Sequence, residues 1–189
     1  FCVVCLALLV QDFIRVWLGE AYVLDGLTTA AVVFNFYFSI VMMPIWVFRE
    51  ATGLYRKTRY VMLATAAVNL IASVWLGRRW GLGGIVLATS LAKLCTYFWY
   101  EPKLLFRGYF GRSCQVYFVG VAKSLLVTAG VLSLCAGAVG WIPVYGWGML
   151  LVKALSAALL CIALLWLIYG RSNGAALIFQ RINAFFHRV

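Results

Sequence analysis

Five long apolar runs constrain this chain more than any other feature of its sequence. They lie near 26–47, 60–77, 82–100, 117–139 and 146–169, and each is about 18–24 residues long, the length that a helix needs to cross a bilayer. The runs are continuous rather than alternating, which disfavours the strands of a membrane β-barrel. The sequence therefore predicts an all-α polytopic membrane protein, a helical bundle.

Composition supports this prediction and removes several other classes of protein. Of the 189 residues, 66% are hydrophobic and 11% are charged. A water-soluble domain of this size could not bury so much apolar surface. A soluble enzyme, a disordered chain and a disulfide-rich secreted domain are therefore excluded, and the six cysteines are expected to be small apolar residues within helices.

The chain opens at Phe1 inside a sixth apolar run, over about 1–11, which is too short to cross a membrane. No basic segment precedes this run, so it does not have the pattern of a secretory signal. We expect a truncated helix at the start of the C-terminal part of a longer protein. Residues 1–170 would form one transmembrane lobe of five full helices and a truncated one. Residues 171–189 would form an amphipathic tail on the cytoplasmic membrane surface.

Lysine and arginine fall unequally on the two predicted sides of the membrane. The loops at 49–59 and 101–114 contain seven of them and the tail contains three, whereas the opposite loops contain only Arg15, Arg78 and Arg79. Positively charged residues accumulate in cytoplasmic loops. We therefore expect a cytoplasmic C-terminus, and the net charge of +11 needs no nucleic-acid partner.

Lys93 is the most informative polar residue inside a predicted span. It lies about 16 Å into the 82–100 run, near the middle of a ~30 Å hydrocarbon core, where a lysine costs about 2.5–3.5 kcal/mol on insertion scales. Thr89 and Tyr97 lie one turn away on either side, and with Thr96 and Tyr100 they predict one polar stripe. Lys93 either faces a cavity or snorkels to the membrane surface.

Other spans contain weaker candidates. Asn69 lies on a small, polar face of the 60–77 run, Asn35 and Ser39 lie in the preceding run, and Lys153 lies in the last one. The asparagine faces could line a pathway or pack two helices together, and Lys153 could snorkel. The candidate substrate-binding residues are thus Lys93, Asn69, Asn35, Ser39, Thr89, Tyr97 and Lys153.

The acidic residues point away from catalysis. All five (Asp12, Glu20, Asp25, Glu50 and Glu101) fall at the ends of predicted spans or in loops, so we expect no carboxylate buried in a helix. Paired carboxylates, a cluster of metal ligands and a nucleophile beside a base are also missing from the sequence pattern. The sequence therefore predicts a protein that is not an enzyme and has no metal or cofactor.

Several stretches resemble a known family. FIRVWLGEAYV (13–23) is similar to an extracytoplasmic loop of bacterial oligosaccharide-lipid flippases, and residues 48–106 resemble the middle of that family's C-terminal half. The shared elements are GLYRK (53–57), VNLIAS (68–73), GLGGIVLATS (81–90) and YEP (100–102). The family belongs to the multidrug/oligosaccharidyl-lipid/polysaccharide exporter superfamily. The resemblance implies two lobes around a central cavity, and this chain would be most of the second lobe.

The resemblance also implies an activity. These proteins flip undecaprenyl-pyrophosphate-linked oligosaccharide units across the bacterial cytoplasmic membrane, for O-antigen or capsule synthesis, by alternating access. We expect Lys93 to contact the anionic head group, and Asn35, Asn69, Thr89 and Tyr97 to line the path of the glycan. Four basic residues would draw in the anion at the cytoplasmic entrance, or would only set topology and contact anionic lipids: Arg49, Arg56, Lys57 and Arg59.

The expected partners are the lipid-linked anionic oligosaccharide, membrane lipids and polysaccharide polymerase or assembly proteins. A cation-coupled multidrug exporter and a lipid II flippase of the same superfamily are alternatives. A membrane glycosyltransferase or polymerase, or a structural helical subunit, would be alternatives from other classes.

Overall fold

The computed structural model describes residues 1–172 and residue 174. It is 87% helical, and the described residues form no β-strand, so the predicted all-α polytopic fold is confirmed. A 3₁₀ turn, Glu20–Tyr22, follows the first helix, and a π-helical turn, Phe106–Phe110, follows the fourth. The α-helices are α1 (Cys2–Leu18), α2 (Gly26–Ala51), α3 (Tyr55–Cys95), α4 (Tyr97–Leu105), α5 (Gln115–Val139) and α6 (Trp147–Tyr169).

Among the described residues, four helical segments are long and apolar enough to cross a membrane: Gly26–Ala51, Arg56–Phe110, Gln115–Val139 and Trp147–Tyr169. The second segment contains both of the runs predicted at 60–77 and 82–100. Large apolar side chains face outward along it, for example Leu63, Leu70 and Ile71 at 68%, 67% and 71% exposed. Such exposure is expected for helices that face lipid, so the chain is a multi-pass membrane protein.

Helix α3 reverses direction at Gly81, so its two arms (55–80 and 82–95) form a hairpin. Gly81 has φ 59° and ψ −137°, a conformation that a residue with a Cβ rarely adopts. The arms then run side by side. The distance of 2.6 Å between the hydroxyl oxygens of Thr65 and Thr96 shows how closely they approach. A Cβ at Gly84 would lie 2.2 Å from the carbonyl oxygen of Leu76, so only glycine lets the arms approach this closely.

The structure divides into two compact units. One comprises Leu18–Val127 and contains α2, α3, α4 and the start of α5. Its core is aromatic and aliphatic, and is built from Phe38, Met42, Ile45, Tyr97, Phe98 and Leu105. The other comprises Phe1–Trp17 and the described residues from Thr128 onward, and contains α1, the rest of α5 and α6.

The helices extend into segments that the sequence predicts as loops. Helix α1 continues to Leu18, and α4 with its π-helical turn occupies most of the predicted 101–114 loop. The expectation that no carboxylate is buried in a helix is therefore wrong: Asp12 is 9% exposed and Glu101 is 2% exposed. Both are buried because each has a cationic partner. The amphipathic tail predicted at 171–189 lies, apart from residues 171, 172 and 174, outside the described residues.

Asp25 caps the N-terminus of α2, just outside the membrane-spanning segment. Its carboxylate accepts hydrogen bonds from the main-chain N–H of Thr28 (3.1 Å) and from the Thr28 hydroxyl. Because these bonds favour the charged form, they lower the pKa of the Asp25 carboxyl below its usual range. This cap satisfies main-chain donors that the first turn of a helix otherwise leaves without partners.

Candidate functional site

The structure brings two of the candidate residues together in the larger unit. Lys93, on the second arm of α3, donates a hydrogen bond from Nζ to Oδ1 of Asn35 on α2, over 3.1 Å. Both side chains are half-buried. One turn along α2, the Ser39 hydroxyl donates to the main-chain oxygen of Asn35 (2.9 Å). Lys93 and Asn35 thus form a polar contact between two spanning helices, and Ser39 lies one turn away from it on α2.

Lys93 is distinguished by the neutrality of its partner. Within the described part of the chain, no Asp or Glu forms an ion pair with it. A cation inside a spanning segment is costly unless an opposite charge or water compensates it. The Asn35 amide satisfies one of the three ammonium donors and leaves the positive charge in place. The site is therefore electrostatically suited to an anion.

The polar stripe expected around Lys93 is interrupted. Thr96 has φ −116° and ψ −97°, a non-helical conformation that separates α3 from α4. Its hydroxyl donates back to the main-chain oxygen of Ala92 (2.6 Å) and contacts Thr65. Tyr97 is buried against Phe38 and Trp46. Only Thr89 remains on the same regular helix as Lys93, and the single stripe predicted from helical spacing is wrong.

The polar side chains on the first arm of α3 form hydrogen bonds within that arm. The Thr65 hydroxyl also bonds to the main-chain oxygen of Val61 (2.7 Å), and Ser73 donates to Oδ1 of Asn69 (3.3 Å). No hydrogen bond joins Asn69 to Lys93 in the part of the chain that the structure describes. Thr65 thus joins the two arms, whereas the Asn69 side chain is hydrogen-bonded within its own arm.

The Lys153 side chain is buried in an ion pair instead of reaching for the membrane surface, and a carboxylate compensates its charge. In the smaller unit its Nζ donates to Oδ2 of Asp12 over 2.6 Å, and the side chains are 8% and 12% exposed. The other carboxylate oxygen of Asp12 accepts from Nη1 of Arg15 over 3.1 Å. The ion pair joins α6 to α1, so Lys153 has a structural partner that the sequence pattern did not reveal.

The four basic residues of the predicted entrance divide into two kinds. Arg49 is mostly buried, and its Nη1 donates to Oε1 of Glu101 over 2.6 Å. The other three are exposed, and the guanidinium of Arg59 lies 4.6 Å from the centre of the Tyr60 ring. Arg49 thus joins α2 to α4, and only the other three present their charge to the surroundings: Arg56, Lys57 and Arg59.

Asp12 and Glu101 are the important residues that sequence reasoning missed. The sequence predicts a loop or a span end at each, because a charged residue ordinarily marks the end of an apolar run. A signal was nevertheless present for Glu101, since the apolar and aromatic run YFWYEPKLLF continues on both sides of it. An acid with apolar neighbours on both sides favours a helix with a buried ion pair over a loop.

Comparison of the chain with protein-family models, with curated proteins and with solved structures finds no match. Function is therefore inferred from the site between α2 and α3 and from the sequence stretches described above.

Proposed function

We propose that this chain is part of a transporter that flips undecaprenyl-pyrophosphate-linked oligosaccharides across the bacterial cytoplasmic membrane by alternating access, for the synthesis of surface polysaccharide. The observation that carries the proposal is Lys93, a cation deep in a spanning segment whose hydrogen-bond partner is a neutral amide. Sequence elements such as GLYRK (53–57) and VNLIAS (68–73) support the same family.

The chemistry of the site favours an anionic cargo. The Asn35 carbonyl oxygen accepts from Lys93, so the two N–H donors of its amide are directed away from the lysine. An ammonium group beside two amide donors matches the oxygen atoms of a pyrophosphate, and charge-assisted hydrogen bonds of this kind are stronger than neutral ones. An arriving anion would also remove the cost of the uncompensated cation.

The basic entrance at the cytoplasmic face is part of the same proposal, but Arg49 no longer belongs to it. The exposed side chains of Arg56, Lys57 and Arg59 attract the lipid-linked anion at the cytoplasmic face. Arg49 is bonded to Glu101 instead and stabilises the packing of α2 and α4. In this topology the C-terminus is cytoplasmic, as the charge bias indicates.

A cation-coupled multidrug exporter is the second candidate. The buried carboxylates of Asp12 and Glu101 are the observation in its favour, because cationic substrates and coupling ions need such groups. It is second because both carboxylates already bond to a lysine or an arginine. A lipid II flippase differs from the first proposal in cargo, and a membrane glycosyltransferase or polymerase would need catalytic groups that the Lys93 site does not offer.

The test is complementation of a bacterium that lacks its own oligosaccharide-lipid flippase. The complete reading frame that contains this sequence is expressed, and surface polysaccharide is measured at equal membrane abundance of each variant. Wild type should restore the polysaccharide. The variant Lys93→Ala should not, because the cation is gone, whereas Lys123→Ala, an exposed lysine of α5, is the matched control and should restore it.

The variant Asn35→Asp makes the test sharper. It keeps the shape of the site and the lysine, but it compensates the charge of Lys93 with a carboxylate. The proposal predicts loss of transport from a protein at least as stable as wild type, whereas Asn69→Asp on the other arm should have a smaller effect. Restoration by both Lys93→Ala and Asn35→Asp would remove Lys93 from the mechanism. Failure of wild type with several matched glycans would reject the flippase and favour the exporter.

A further inference from the structure

A second basic site lies at the end of α4 in the larger unit. An open surface cavity of about 420 Å³ is lined by Tyr100, Lys103, Leu104, Arg107 and Gly108. Their spacing of three and four residues places them on one face of the helix. The face continues into the π-helical turn Phe106–Phe110, an irregularity that is frequent at functional sites.

The two cations of this face have no carboxylate partner in the described part of the chain. Lys103 and Arg107 are exposed and four residues apart, so they repel each other. The nearest acid in the sequence, Glu101, is turned into the protein, where it is 1% exposed and bonds to Arg49 over 2.6 Å. An anion between Lys103 and Arg107 would relieve the repulsion.

The position of this helix face indicates which kind of anion it binds. It lies at the end of the apolar segment Arg56–Phe110, and the ends of spanning segments meet the phospholipid head groups. Leu104 contributes apolar surface between the two cations, and Tyr100 contributes an exposed aromatic ring with a hydroxyl group, a residue typical of the membrane–water interface. A free phosphate would use only the cations, whereas a phospholipid would use all four side chains.

We propose that Tyr100, Lys103, Leu104 and Arg107 bind an anionic phospholipid of the surrounding membrane. The phosphate group lies between Lys103 and Arg107, and the start of an acyl chain covers Leu104. The charge bias assigns this end of α4 to the cytoplasmic leaflet, where anionic lipids accumulate. This site is separate from the Lys93 site and does not depend on the cargo that the protein transports.

The test measures lipid binding to the purified protein by native mass spectrometry, with phosphatidylglycerol and phosphatidylcholine as probes. The variant Lys103→Gln/Arg107→Gln should bind phosphatidylglycerol about 30-fold more weakly, the effect of two basic residues on a membrane anion, with unchanged binding of phosphatidylcholine. The control Arg78→Gln/Arg79→Gln removes the same charge from exposed positions outside the cavity and should bind as wild type does.

Several outcomes would overturn the proposal. Equal loss of phosphatidylglycerol binding in the two double variants would assign the effect to net charge. No loss of binding in either variant would show that this face does not bind the lipid. Displacement of the lipid by millimolar inorganic phosphate would indicate a site for a free anion. If Lys103→Gln/Arg107→Gln unfolds, the single variant Arg107→Gln decides, with an expected loss of about 5-fold. The charge-preserving variant Lys103→Arg/Arg107→Lys should retain binding.

Discussion

At the scale of single residues, the partners of three cations determine what each can do. Lys153 bonds to Asp12 and Arg49 bonds to Glu101, and in both cases a carboxylate compensates the charge. Lys93 bonds to the neutral amide of Asn35. The first two therefore stabilise helix packing, and Lys93 remains able to attract a ligand of opposite charge.

The Asp12–Lys153 ion pair predicts a ranking of the stability losses of three variants. Asp12→Asn leaves Lys153 buried without a carboxylate and should lower the free energy of unfolding by about 3–5 kcal/mol. Lys153→Met should cost less, because Arg15 still bonds to Asp12. The double variant Asp12→Asn/Lys153→Met should recover most of the loss. Unfolding in detergent, followed by circular dichroism, measures all three, and a double variant less stable than Asp12→Asn would contradict the account.

The sequence revealed single residues better than it revealed their pairs. Lys93 and Asn35 could be identified because each interrupts an apolar run. Their hydrogen bond could not be predicted, because 58 residues separate them and no local spacing links two different helices. For the same reason Asp12 and Glu101 resembled the ends of spans. A buried carboxylate is recognisable only when its partner on another helix is known.

At the scale of elements, the hairpin of α3 depends on close approach of its two arms. Gly84→Ala places a methyl group against the Leu76 carbonyl, 2.2 Å from its oxygen, so the arms must separate. We expect a loss of about 1–3 kcal/mol in the free energy of unfolding. Gly130→Ala is the control, because nothing lies within 4 Å of a Cβ at that position of α5, and a helical alanine is favoured there by up to about 1 kcal/mol. Equal destabilisation by the two variants would contradict the close packing.

The sequence predicts the helices, but it predicts only some of the breaks within them. The apolar runs predict the helices that are long enough to cross a membrane, because length and continuity are properties of the local sequence. Gly81 falls between the runs predicted at 60–77 and 82–100, so a break there agrees with the sequence. The break at Thr96 has no local signal, since apolar and aromatic residues lie on both sides. The Thr96 hydroxyl bonds to Thr65 on the other arm, which is a tertiary contact that helical periodicity does not contain.

At the scale of the whole molecule, the unequal distribution of lysine and arginine predicts one orientation. Alkaline phosphatase is active only outside the cytoplasm, so its fusion at Trp141, in the loop between α5 and α6, should be active. A fluorescent-protein fusion after Ser172 should be fluorescent, because the C-terminus is expected in the cytoplasm. The opposite pattern of activities in a bacterial host would contradict the orientation.

The ion pair between α1 and α6 has a consequence for how the protein is made. Asp12 and Lys153 are 141 residues apart in the chain, and a ribosome that adds about 5–20 residues per second needs roughly 7–28 s to synthesise the interval. Throughout that time Arg15 can pair with the Asp12 carboxylate, but Lys153 cannot. The ion pair that joins α1 to α6 can therefore form only after α6 has been synthesised.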